Sequence, residues 1–331
     1  MGGVAVVDTR WHHRCVSSTP TESTGGRRRR ARGEEFFHRD PDSDLLADRA
    51  DVLTVPEPPV KRLRSLALAV FAGLLGVALV AGAYTPHRSY ALVIFGVQFL
   101  FVVSWTVATR PPGGRVVAAV GLATAAGSDL AVAFPVHATI APLGYVTAVA
   151  LFAAMIGQLV RRGARTSVTE SLGASLVMVV GVVAFATLIV LSRMELGRES
   201  IAACLVGATV ALVLARVCDV VFPYPRATPQ VARGTIGIIV GAMGGTVASA
   251  LVASVLVGMH PSRTVFAGLL TAVAAVLADL GVGFAEASRE IDGEVGRFWV
   301  VRLIQGPLAA FALAAPVAYA MSVMVLVPGL S

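Results

Sequence analysis

Residues 65–84 read Ser65-Leu-Ala-Leu-Ala-Val-Phe-Ala-Gly-Leu-Leu-Gly-Val-Ala-Leu-Val-Ala-Gly-Ala-Tyr84, a run without a single charged side chain. A helix needs roughly 20 predominantly apolar residues to cross the hydrocarbon of a bilayer. This run therefore reads as a transmembrane span, with Lys61, Arg62 and Arg64 anchoring it among the headgroups. The rest of the chain repeats the pattern. Hydrophobic residues make up 56%, charged ones 14%, and the mean hydropathy is +0.78. A soluble domain carries about 25% charged residues to cover its surface. That shortfall excludes a soluble enzyme, a disulfide-stapled secreted module and a nucleic-acid reader.

Nine segments meet the length requirement, at about 65–84, 90–108, 116–134, 140–160, 171–191, 200–218, 235–258, 264–286 and 299–328. The last contains Pro307 and Pro316 and is expected to tilt or kink. The fold class implied is all-α, a polytopic transmembrane helical bundle of about nine spans over residues 61–331, preceded by a tail at 1–60. Alternate loops differ in arginine. Eleven (Arg110, Arg115, Arg161, Arg162, Arg165, Arg216, Arg226, Arg233, Arg289, Arg297 and Arg302) fall on the side of the tail, against Arg88, Arg193, Arg198 and Arg263 on the other. Positively charged loops stay in the cytoplasm. The expectation is a plasma-membrane protein with its N-terminus cytoplasmic and its C-terminus outside.

The net charge of +7 is unevenly spread. Residues 1–60 hold nine Arg against ten acids, while the remainder holds eighteen basic residues against ten acids. The tail is polar, rich in Pro, Ser and Thr, and shows no helical apolar period, a composition expected to be disordered. It is not a signal peptide, because no apolar core follows its first charges. Its Arg27-Arg28-Arg29-Arg30-Ala31-Arg32 run, followed by acids from Asp40 to Asp51, suits retention on the cytoplasmic side. The same run could dock anionic lipid or an acidic protein partner.

Ionisable groups at membrane depth are costly and mark candidate sites. Asp129 lies about 20 Å from the tail-side start of its span and Asp279 about 10 Å from the tail-side end of its own, at roughly 1.5 Å per residue. Their depths differ, so they are not expected to share an ion. Asp219 closes the sixth span, one turn after Arg216, and Glu286 shares a helical face with Asp279. Asp219, Asp279 and Glu286 thus belong to one side of the membrane, where Arg226 and Arg233 also lie. Such a set could hold a cation on its carboxylates or a phosphate on its arginines. The plainer alternative pairs Arg216 with Asp219 along one helix and leaves Asp279 hydrogen-bonded to a neighbouring helix. Asp129, beside Gly127 and Ser128, fits a structural role at a close helix contact.

Gly237, Gly241 and Gly245 recur every four residues in the seventh span, a smooth stripe suited to close helix packing. Cys15, Cys204 and Cys218 are an odd number without metal-ligand spacing, so neither disulfide nor zinc is expected. No HExxH, Walker loop, GxSxG or CxxC occurs.

One further pattern runs through residues 210–320. Asp219 closes a span, Thr228-Pro229 follows, a glycine-rich helix reaches Gly244-Gly245, then Ala278-Asp279-Leu280, then a last helix with Ala314-Ala315-Pro316. In this order the segment resembles the phosphatidate cytidylyltransferase family, whose members are polytopic, face the cytoplasm and use magnesium to join CTP to phosphatidic acid. The resemblance implies magnesium as a cofactor only if the transferase activity is retained. The chain departs from the family's pattern where that pattern carries its charges. Thr228-Pro229-Gln230-Val231-Ala232-Arg233-Gly234 stands in place of Ser-Pro-Lys-Lys-Thr-x-Glu-Gly, and Glu286-Ala287 in place of a Lys-Arg pair. The His-Gly-Gly and Asp-Arg-x-Asp-Ser segments have no counterpart between Ser288 and Gly306.

The expectation is accordingly a non-catalytic membrane protein, a scaffold, regulator or acidic-lipid-headgroup binder in envelope lipid metabolism, without a cofactor. A cation-coupled small-solute transporter using Asp129 and Asp279 is the first alternative. A CTP-dependent lipid transferase requiring magnesium is the second.

Overall fold

The computed structural model describes residues 62–111, 113–135, 139–160, 168–222, 224–228, 231–256, 261–291 and 299–326. The tail at 1–60, with its Arg27–Arg32 run, lies outside the described residues. Among the described residues, nine helices are long and apolar enough to cross a membrane. They are α1 (Arg62–Ala83), α2 (His87–Thr109), α3 (Gly114–Ala133), α4 (Ala141–Val160) and α5 (Val168–Ser192). After these come α6 (Gly197–Val221), α7 (Thr235–Val255), α8 (Pro261–Ile291) and α9 (Trp299–Leu326). The chain is a multi-pass membrane protein built as a helical bundle. A short antiparallel hairpin, β1 (Arg226–Thr228) and β2 (Val231–Gly234), separates α6 from α7.

Long-range contacts relate the directions of two pairs of helices. Arg64 at the start of α1 donates to Glu286 near the end of α8 at 2.6 Å. Arg193, just after α5, donates to the carbonyls of Val132 and Pro135 at the end of α3. The first sets α1 and α8 antiparallel and the second sets α3 and α5 parallel, as alternating spans do. The face where α1 starts is called the basic face below, after its arginine-rich loops, and the other the opposite face.

The core is formed where small residues let helices approach. α6 is central and packs against α7, α1, α8 and α9, while α9 also touches α2 and α5. A side chain at Gly181 of α5 would meet the Phe101 ring at 2.5–2.6 Å, so this glycine makes room for an aromatic cluster. Within it Phe101 stacks on Trp105 at 5.5 Å and meets Phe185 edge-on at 6.0 Å. The outward surface is apolar, as lipid demands: Tyr145, Val149, Phe152 and Ile156 on α4, and Met243, Val247 and Leu251 on α7, are all exposed.

Pro307 and Pro316 both lie inside α9, which continues through them. Neighbouring helices let a spanning segment tolerate the backbone groups that proline leaves unpaired. The 31-residue α8 extends beyond its apolar stretch at both ends, a length of roughly 46 Å at 1.5 Å per residue.

Candidate functional site

At the basic face four charged side chains from three elements close on one another. α6 supplies Arg216 and Asp219, α8 supplies Asp279, and β2 supplies Arg233. Arg216 Nη2 donates to Asp279 Oδ1 at 2.7 Å, and Arg233 Nη2 donates to Asp279 Oδ2. Asp219 Oδ1 accepts the backbone N–H of Gly234 at 3.0 Å. Its other oxygen, Oδ2, lies 3.8 Å from Arg233 Nε, within ion-pair range but too far for a hydrogen bond. Arg233 is 3% and Asp279 1% exposed, so water contributes almost nothing to these charges.

The hairpin exists to deliver Arg233. Arg226 pairs with Gly234 through the backbone at its base, and the Thr235 N–H bonds the Pro225 carbonyl at 2.8 Å. β2 then lies against α6 and α8. Of Arg226 only the backbone is described. The glycine stripe completes the cradle. A side chain at Gly237 would stand 2.7 Å from Asp219 Oδ1 and 2.8 Å from the Ala215 carbonyl. One at Gly241 would meet the Ala211 carbonyl at 2.6 Å, and one at Gly245 the Ala211 and Ala272 side chains at 2.8 and 2.9 Å. All three glycines thus face α6, and Gly245 touches α8 as well. From α9, Gly306 leaves space for Asp279, since a side chain there would collide with Oδ1.

The residues singled out from sequence are therefore only partly united. Asp219, Asp279 and Arg233 come together. Glu286, two turns beyond Asp279, instead joins Arg64 in a half-buried pair at 2.6 Å. Asp129 lies apart, between α3 and α2, where Gln98 Nε2 donates to its Oδ1 at 3.0 Å and to the Val182 carbonyl at 3.1 Å. The Val182 carbonyl fixes the amide orientation, because a flipped Gln98 would oppose oxygen to oxygen. Gln98 Oε1 and Asp129 Oδ2 are buried without a hydrogen-bond partner. Within the α6 helix, the Arg216–Asp219 pairing expected from sequence does not form; Arg216 reaches across to α8 instead. Gln98, Arg216 as the partner of Asp279, and Gly306 are the residues sequence reasoning missed. Only Gly306, a glycine next to a proline inside a span, left a local signal.

Chemically the cluster is a clamp. Two carboxylates face two guanidiniums, for a formal charge of zero, and both Asp279 oxygens are engaged. Guanidinium groups occupy both oxygens of Asp279 and raise the local positive potential, whereas Asp219 Oδ2 is buried without a hydrogen-bond partner. Among the described residues, no group of three or more His, Cys, Asp or Glu side chains is placed to hold a metal. No family model matches the chain, and neither a curated protein nor a solved structure matches it significantly.

Proposed function

We propose that this multi-pass protein is a non-catalytic component of the plasma membrane, a scaffold whose buried charges hold its architecture rather than turn over a substrate. The observation that carries the reading is the double engagement of Asp279 by Arg216 and Arg233. Taking four charges out of water costs several kcal/mol per ion, offset only when the partners are well placed. A chain that commits them to each other gains a fixed register for α6, α8 and the hairpin and leaves neither oxygen of Asp279 for a metal. The N-terminus is assigned to the cytoplasm because the basic face carries the excess of arginine.

The test is direct. Purified full-length chain incubated with magnesium, CTP and phosphatidic acid yields no CDP-lipid, and Asp279→Asn lowers thermal stability. Product formation that Asp279→Asn abolishes without loss of stability would overturn the scaffold reading in favour of transfer chemistry.

One observation favours a second reading, cation-coupled transport of a small solute. Asp129 Oδ2 and Gln98 Oε1 are two buried acceptors with no donor, the arrangement a proton or a small cation would satisfy. Uptake into vesicles driven by a proton or sodium gradient, and lost in Asp129→Asn, would favour it over the scaffold.

A further inference from the structure

The opposite face carries only four arginines by sequence, and two of them, five residues apart, line one cavity. The cavity, of about 430 Å³, opens where α2 begins, α5 ends and α6 begins. His87, Arg193 and Arg198 line it together with Ser192 and Glu199. Its two arginines exceed its one acid. Arg193 is held in place by the Val132 and Pro135 carbonyls, so its charge is pinned to the wall. A neighbouring cation, Arg88, sits 5.8 Å from the centre of the Phe134 ring on the same face. Helix α6 adds to the positive potential: no side chain caps its first turn, and Leu196 precedes it in the left-handed region at φ 55°.

We propose that this cavity binds a phosphate-bearing anion, with the guanidinium of Arg198 as its principal contact. Three arguments support this. The volume lies within the range of roughly 300–1,000 Å³ that small-molecule sites occupy. The two arginines stand five residues apart at the α5–α6 junction, and the start of α2 closes the cavity over them with His87. The site also lies at the ends of spans, at headgroup level, where a lipid phosphate and a free phosphate ester in the adjoining water can both reach it. Glu199, on the same wall, accepts hydrogen bonds from hydroxyl groups carried by the ligand. The inference is independent of the clamp at the basic face.

Native mass spectrometry of the detergent-solubilised full chain tests it, with phosphatidylglycerol, phosphatidylcholine and sn-glycerol 3-phosphate as probes. The expected result is tighter retention of phosphatidylglycerol than of phosphatidylcholine, weakened about tenfold by Arg198→Gln, the loss of one charge-assisted contact. His87→Glu, on a different helix, weakens it as well. Arg263→Gln, which removes the same charge from the same face outside the cavity, changes it less than about twofold, as expected for an electrostatic effect at a distance. Displacement of the lipid by glycerol phosphate would identify a soluble phosphate ester as the ligand, and failure to displace would identify the lipid. Equal binding by Arg198→Gln and the unaltered chain, or equal weakening by Arg263→Gln, would overturn the proposal.

Discussion

Replacing Arg233 by Met keeps most of the side-chain volume and removes one of the clamp's two positive charges. Asp279 would retain Arg216 at 2.7 Å, and Asp219 would retain the Gly234 N–H at 3.0 Å, but the cluster would carry an uncompensated negative charge. Removing one partner of a buried ion pair costs about 3–5 kcal/mol. The surviving contacts place Arg233→Met at the low end, about 3 kcal/mol, or roughly 6–12 °C in the unfolding midpoint. Asp279→Asn leaves two guanidiniums facing Asp219 alone and is expected to cost a similar amount. The double variant Arg233→Met/Asp279→Asn leaves Arg216 and Asp219, again formally neutral. Its cost should fall below the sum of the singles by about 2 kcal/mol, within the coupling range of contacting residues. The assay is unfolding of the four proteins in one detergent, at one scan rate, because unfolding of such a chain is governed by rate as much as equilibrium. Costs that add to within about 0.5 kcal/mol would refute the clamp, since uncoupled sites add in that way.

Other outcomes follow from the same contacts. Gly241→Leu places a side chain against the Ala211 carbonyl and the Ala215 side chain, which forces α6 and α7 apart and lowers stability by about 1–3 kcal/mol in the same unfolding assay. Gln98→Leu strips Asp129 of its donor and costs about 1–3 kcal/mol, whereas Gln98→Leu/Asp129→Leu, with no stranded polar group left, unfolds closer to the unaltered chain. Arg64→Gln breaks a pair that is a third exposed on its arginine side and shifts stability by less than about 1 kcal/mol. Thiol labelling in right-side-out vesicles, on a chain otherwise free of cysteine, modifies Ser331→Cys without permeabilisation and a single Cys15 only after it. Labelling of both from one side would contradict an odd number of crossings.

The spans were legible because lipid selects on composition locally: each apolar run is its own evidence. The sequence-derived segment 235–258 and α7 at Thr235–Val255 share their start, and 140–160 matches α4 to within a residue. The larger difference is at α8, which begins at Pro261 and ends at Ile291, not at 264 and 286. Ser262, Arg263, Arg289 and Glu290 are polar, so hydropathy stops before the backbone hydrogen bonds do. The hairpin was invisible for a different reason. Seven residues of strand with a proline between them carry too little period-two pattern to register.

The clamp was half legible. Asp219, Asp279 and Arg233 each stood out as a charge beside or inside a span, but which charge meets which is a property of packing. Arg216 and Asp219, three residues apart on α6, looked like natural partners, yet Arg216 bonds a carboxylate 63 positions away. This pairing also bears on orientation. Two of the eleven arginines counted for the basic face, the part-buried Arg216 and the buried Arg233, are neutralised by Asp219 and Asp279. Charges consumed inside the protein cannot hold a loop in the cytoplasm. Discounting both leaves nine arginines against four, still more than twofold in favour of the same face. Because the bias persists without them, it rests on the loops, and the proposed cytoplasmic N-terminus does not depend on what the clamp does.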